Sequence, residues 1–209
     1  MTPRERMLAR IAEAIGPSPE VPSIPRDYRQ AGSEGRSVAE RADRFCERAA
    51  DYRATVKRVD TDGIDRAIAD ACATRGSRRL VAAPAVGWAP ADLSLVHDRP
   101  ERPPAELDSF DAALTGCALA IAETGTIVLD GGPICGRRAL TLVPDHHVCV
   151  VRADQIVADV TDAVVALNAA GRAGLPITLI SGPSATSDIE LRRVEGVHGP
   201  RLLDVIVAS

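Results

Sequence analysis

Aromatic side chains are nearly missing from this chain: two Phe, two Tyr and one Trp among 209 residues. A core built without them must come from Val, Leu, Ile and Ala, a composition that favours a buried parallel sheet covered by helices. Apolar runs of membrane-spanning length are absent, and charged residues rather than an apolar signal region follow Met1, so a cytoplasmic protein is expected. No Lys/Arg run with interleaved aromatics occurs and the net charge is −4, which leaves nucleic-acid binding without support. The five cysteines (46, 72, 117, 135 and 149) form no Cys-x-x-Cys pair, and no His-Glu-x-x-His occurs. A metal site or iron–sulfur cluster bound by this chain alone is therefore not expected. The dinucleotide glycine fingerprint, the Walker loop and the Gly-x-Ser-x-Gly elbow are missing as well.

What is present begins with a well-marked helix. Thr2 and Glu5 have capping-box spacing, Pro3 stands at the first helical position, and Gly16-Pro17 ends the element. Residues 16–35 carry Pro17, Pro19, Pro22 and Pro25 and read as irregular linker. From about Ser37, Val38, Ala42, Phe45, Ala49, Tyr52 and Val56 recur at alternating four- and three-residue steps. That is a one-sided helical seam, suited to packing on its own domain or on another subunit, and a homo-oligomer is open. Residues 1–60 thus read as a helical arm with a Pro-rich linker, and 61–209 as the α/β domain.

Strand and helix patterns alternate from residue 78. Apolar runs at 80–83, 117–122, 126–129, 140–143, 147–151, 177–180 and 203–207 read as strands. A short helix is expected over 108–114, and Ile156, Val157, Val160, Val164 and Leu167 mark a longer one. The fold class is α/β: one mainly parallel sheet over 78–209, with an embedded hairpin around 123–125 and Ile177–Ile180 internal. In such sheets ligands bind at the carboxyl ends of the strands.

Two stretches carry candidate chemistry. Glu123-Thr124-Gly125-Thr126 lies between two apolar strands, where a carboxylate can serve as acid, base or nucleophile, or simply as a turn residue. Ser181-Gly182-Pro183-Ser184, with Thr186 and Asp188, follows the strand at 177–180 and leads toward Gly196-Val-His-Gly-Pro-Arg201. Hydroxyls and free N–H groups there suit a small anion, and they equally suit a cap and tight turn. His198 can move a proton near neutral pH or brace its own turn. Arg137, after the glycines at 131, 132 and 136, can pair with a carboxylate or phosphate. Cys135, beside those glycines, can be exposed, although no neighbouring feature marks it as a reactive thiol.

The segments 122–126, Leu142-Val-Pro-Asp145, 180–190 and 196–201, in this order, resemble the LUD-domain family over roughly residues 78–209. The resemblance implies a fold like that of the sugar-phosphate isomerase and CoA-transferase superfamily. It also implies a role with iron–sulfur partner proteins in oxidising L-lactate to pyruvate, this chain being a short subunit without a cluster of its own. In this reading Glu123 and His198 are the candidates for proton transfer. Thr124, Gly125, Thr126, Arg137, Ser181, Gly182, Ser184, Thr186 and Asp188 would bind a small anionic substrate. The family pattern has a basic residue where Ala185 stands, so one anion contact is missing. A stand-alone CoA-transferase or cyclo-ligase with Glu123 as nucleophile, and a non-catalytic assembly module acting through the helical seam, are the competing readings.

Overall fold

Two reciprocal capping boxes start the chain's first two helices. In the computed structural model, which describes residues 1–16, 23–27, 35–172, 174–186, 194–196 and 198–209, Thr2 accepts from the Glu5 N–H at helix α1 (Pro3–Ile15) while Glu5 accepts from Thr2. Ser37 and Glu40 repeat the pattern at α2 (Val38–Asp51). Helix α1 buries none of its residues. The linker expected at 17–35 lies largely outside the described residues.

The elements that follow are β1 (Thr55–Val59), α3 (Ile64–Arg75), β2 (Arg79–Ala82), β3 (Ser94–His97), α4 (Pro104–Leu107) and β4 (Ala112–Thr115). Next come β5 (Leu119–Ile121), β6 (Thr126–Leu129), β7 (His146–Arg152), β8 (Ile156–Val157) and α5 (Val160–Ala169). The chain closes with β9 (Thr178–Ile180), β10 (Ala185–Thr186), β11 (Val194–Glu195) and β12 (Leu202–Ala208). Six strands form a wholly parallel sheet in the order β1-β12-β7-β4-β2-β3. A second, four-stranded sheet has the order β8-β5-β6-β9, and β10 pairs with β11 as a separate ribbon.

Period-two alternation sorts the core into layers. Val148, Val150, Ile206 and Ala208 pack with Ile64, Ile68 and Cys72 of α3 on one face of the large sheet. Cys149, Val151, Val205 and Val207 point the other way, onto Ala42, Phe45 and Ala49 of α2 and onto Ala120, Ile127 and Ile156 of the small sheet. The outer face of the small sheet, through Leu119, Ile121 and Val128, is covered by Ala163 of α5. The middle of the α2 seam, at Ala42, Phe45 and Ala49, is therefore buried within its own fold, while Val38 and Tyr52 at its ends are exposed. Among the described residues no helix is long and apolar enough to cross a membrane.

Several sequence expectations need correction. Residues 78–209 build two sheets rather than one, and β9 is an edge strand of the small sheet, antiparallel to β6, rather than an internal parallel strand. Its Leu179 is 61% exposed. The α2 helix stops at Asp51, and Val56 belongs to β1. Residues 140–143 are not a strand: Leu140, Thr141 and Leu142 donate to the carbonyls of Arg137, Arg138 and Ala139, three residues back, and the segment coils into turns. The helix expected at 108–114 is instead α4 followed by β4, while Ile156–Val157 is a strand ahead of α5. Asp159 caps α5, accepting from the Asp162 N–H at 2.9 Å. Cys135 is fully buried, and burial pushes its thiol up to about 12.

Candidate functional site

Strands β5 and β9 both run antiparallel to β6, which lies between them, so they point the same way. Their carboxyl ends and the start of β6 therefore share one edge of the small sheet. Glu123 and Thr124 follow β5, Thr126 begins β6, and Ser181 follows β9. This shared edge comes from two strands flanking an antiparallel third, not from one parallel sheet. Two strand spacings separate the β5 and β9 ends, about 10 Å.

Hydroxyls link across this edge. Thr124 Oγ1 and Thr126 Oγ1 lie 2.7 Å apart, and Thr126 Oγ1 and Ser181 Oγ are also 2.7 Å apart. If Thr124 donates to Thr126 and Thr126 to Ser181, the Ser181 proton stays free for a ligand. Two glycines hold the edge against α2. A Cβ on Gly125 (φ +61°) would meet the Ala49 backbone nitrogen at 2.4 Å, and one on Gly182 (φ +106°) would meet the Tyr52 carbonyl oxygen at 2.4 Å.

A cavity of about 270 Å³ opens beside β9, lined by Thr178–Ala185, by His198, Gly199 and Pro200, and by Thr141, Leu142 and Leu203. Leu203 lies near the amino end of β12, so this cavity sits at the amino edge of the large sheet, not at the carboxyl edge where parallel-sheet logic puts ligands. Ser184 organises its floor. Its N–H donates to the Pro200 carbonyl (2.8 Å), its carbonyl accepts from Gly196 (2.9 Å), and its Oγ accepts from the His198 N–H (3.2 Å). The Ser184 O–H is thereby left to donate into the cavity. Arg201 fastens the same loop to Asp145: its Nε lies 2.7 and 2.9 Å from the two carboxylate oxygens, and its Nη2 2.6 Å from Oδ2. That guanidinium holds the Asp145 carboxyl below its ordinary range. A Cβ on Gly196 (φ +77°) would strike the Arg201 side chain.

Ser181, Gly182, Ser184 and His198 thus share one cavity, and Thr126 and Thr124 reach it through Ser181. Glu123 stands on the same edge without lining the cavity; its N–H donates to the Ala158 carbonyl at 3.0 Å. Arg137 lines an adjoining cavity, where Asp98 accepts from its Nε (2.7 Å) and Nη2 (3.2 Å). Thr186 lies in β10, and Asp188 falls outside the described residues. Sequence reasoning missed Thr141, Leu142 and Thr178, because a segment read as a strand is a turn facing the cavity. The Leu142–Asp145 and Pro200–Arg201 motifs were the available signal, for they contain both ends of the Asp145–Arg201 clamp.

A second polar cluster has the residue types and spacings of a hydrolytic triad, but with the imidazole nitrogens exchanged and without the access. Ser77 Oγ lies 3.0 Å from His146 Nδ1, and His146 Nε2 lies 2.9 Å from Asp204 Oδ2. All three are at most 5% exposed, and Arg75 Nε approaches the same Asp204 oxygen at 3.3 Å. No described cavity opens onto them. They tie α3 to the amino edge of the large sheet. His147, on the opposite face, bonds Thr115 Oγ1 at 2.8 Å, and burial first, then the neighbouring His146, lowers it to about 4.

A six-stranded parallel sheet carrying a small mixed sheet, with a hydroxyl-lined cleft between them, defines the class of this protein as α/β. The chain belongs to the LUD domain family, whose model matches residues 98–208. Among its relatives, lactate utilization protein C of Deinococcus radiodurans is 51% identical over 176 residues, covering 83% of this chain and 82% of that protein. Lactate utilization protein C of Bacillus subtilis is 33% identical over 116 residues, 54% of this chain and 48% of the relative. The crystal structure of a DUF162 family protein from Deinococcus radiodurans matches with a TM-score of 0.71 at 43% identity, covering 83% of this chain and 99% of that one.

Proposed function

We propose that this chain is a subunit of a lactate-utilization system that oxidises L-lactate to pyruvate together with iron–sulfur partner proteins. The observation that carries the reading is the 51% identity, over four-fifths of each chain, to a protein named for lactate utilization. The cleft is chemically compatible with it. The Ser181 and Ser184 hydroxyls are suited to a carboxylate, whose two oxygens accept several hydrogen bonds. His198 at the cavity wall and Glu123 at the same sheet edge are the groups assigned to take protons as the substrate hydroxyl becomes a carbonyl. Iron–sulfur clusters in the partner proteins would supply the acceptor for the two electrons.

Complementation tests this. Expressed in a bacterium whose own lactate utilization protein C has been deleted, the chain should restore growth on L-lactate, and Ser184→Ala should lower that growth without lowering the melting temperature. Soluble, folded chain that leaves growth on L-lactate absent would overturn the assignment.

A further inference from the structure

The cavity of Ser181, Ser184 and His198 holds hydroxyls and an imidazole, but among the described residues no Arg or Lys lines it. Fixed positive charge stands next door. A second cavity, about 340 Å³, is lined by Arg137, Arg138 and Arg172 around Gly131, Gly132 and Gly136, and it shares Thr141 and Thr178 with the first. Two of the guanidinium groups are held by carboxylates. Arg137 grips Asp98 with two nitrogens and the Arg102 carbonyl with Nη2 at 2.7 Å, and the Asp98 side chain is only 2% exposed. Arg172 Nε lies 2.9 Å from Asp130 Oδ2, while the other Asp130 oxygen accepts the Gly132 N–H at 2.8 Å. Asp130 is the one carboxylate in the described lining. Arg138 has no carboxylate partner among the described residues. The wall therefore carries one guanidinium in excess of its pairings, flanked by two others already oriented, which is the donor set that oxyanions of phosphate type select.

Size points the same way. Ligand sites for molecules of cofactor or drug size run from ~300 to ~1,000 Å³. The first cavity falls just below that range and the second at its low end, and the pair joined through Thr141 and Thr178 falls well inside it. A three-carbon acid would leave most of this space to water.

We propose that the Arg137–Arg138–Arg172 cavity is an anion subsite for a phosphate- or pyrophosphate-bearing ligand, whose remainder passes Thr141 and Thr178 into the hydroxyl-lined cavity. The inference uses the same cleft as the lactate assignment but does not depend on lactate being the substrate. Arg138 is the primary contact, with no competing carboxylate among the described residues. Arg172 is the second, exchanging part of its Asp130 contact for the ligand, and Arg137 supplies the fixed charge behind them.

Calorimetric titration of the full chain with inorganic pyrophosphate tests it. Saturable one-site binding is expected, weakening at least tenfold in Arg138→Ala, an exposed position whose loss leaves the melting temperature unchanged. Arg172→Lys, which keeps a charge for Asp130 but loses the planar fork, should weaken binding by a smaller factor. Absence of saturable binding, or equal affinity in Arg138→Ala, overturns the subsite. Growth on L-lactate, scored separately, distinguishes this failure from failure of the lactate assignment: a chain that complements but ignores pyrophosphate sinks the subsite alone.

Discussion

Thr126 is the residue on which the cleft's hydrogen bonding turns. Its side chain is buried, 4% exposed, and its single hydroxyl bonds both Thr124 and Ser181. A hydroxyl donates only once, so Thr126 decides which neighbour must donate and which may point into the cavity. Thr126→Val keeps the branched shape that suits β6 and removes the relay. Stability should fall by no more than about 1–2 kcal/mol, because Thr124 and Ser181 both reach water. Growth on L-lactate, or turnover of a reconstituted system, should drop well beyond what that stability change accounts for. Thr126→Ser, which restores the hydroxyl, should recover it. Equal activity of the Val and Thr forms would remove the relay from the mechanism. A triad-like order of residues does not make a site: Ser77, His146 and Asp204 have the distances, but burial leaves no room for a substrate.

At the scale of elements, α2 is the scaffold of the cleft. Its seam is buried at Ala42, Phe45 and Ala49, its second half receives the Gly125 turn, and Tyr52 just past its end receives the Gly182 turn. Gly125 combines a left-handed φ with an approach to helix backbone that leaves no space for Cβ, and helix backbone cannot move aside as a flexible side chain would. Gly125→Ala should therefore cost upwards of about 2 kcal/mol, the sum of strain at positive φ and displacement of α2. Urea unfolding should show a lower midpoint with an unchanged slope. Gly131→Ala, also at positive φ but with open space around its Cβ, separates the two terms, since it carries conformational strain alone. If both substitutions cost the same, close approach to α2 contributes nothing.

For the whole molecule, acid stability should follow a buried histidine before it follows any carboxylate. His147 is neutral in the fold, lowered to about 4 from an ordinary 6.5 by burial and by His146. Its contribution is fully present above pH 6.5 and is lost progressively as pH falls toward 4, because the unfolded chain binds the proton first. The full shift corresponds to on the order of 3 kcal/mol. Asp145, held low by Arg201, and Asp70, held low by Lys57, lose their contributions only below their ordinary 3.8. Unfolding free energy measured from pH 7 to 4.5 should decline, and His147→Gln, able to keep a bond to Thr115, should flatten that decline. A variant with the parental slope would place the acid sensitivity elsewhere.

Local chemistry by itself determined the element boundaries where capping is reciprocal, as at Thr2/Glu5 and Ser37/Glu40, and the α/β class, which follows from an aliphatic core with almost no aromatics. It also marked the hairpin around 123–126 and the hydroxyl run at 181–184, because turns and caps depend on neighbours a few residues away. Edge strands escaped it. β1 reads Thr-Val-Lys-Arg-Val and is mostly exposed, so its place in the sheet rests on pairing with β12 nearly 150 residues later. Residues 140–143 are apolar enough for a strand, yet hydrogen bonds three residues back coil them over the cleft. Only the tertiary structure decided that the strands divide between two sheets, that β9 lies at an edge, and that Arg138 and Ser184 line neighbouring cavities. Those outcomes depend on which backbone groups find partners across long loops, a competition settled by the whole chain at once rather than by any window of it.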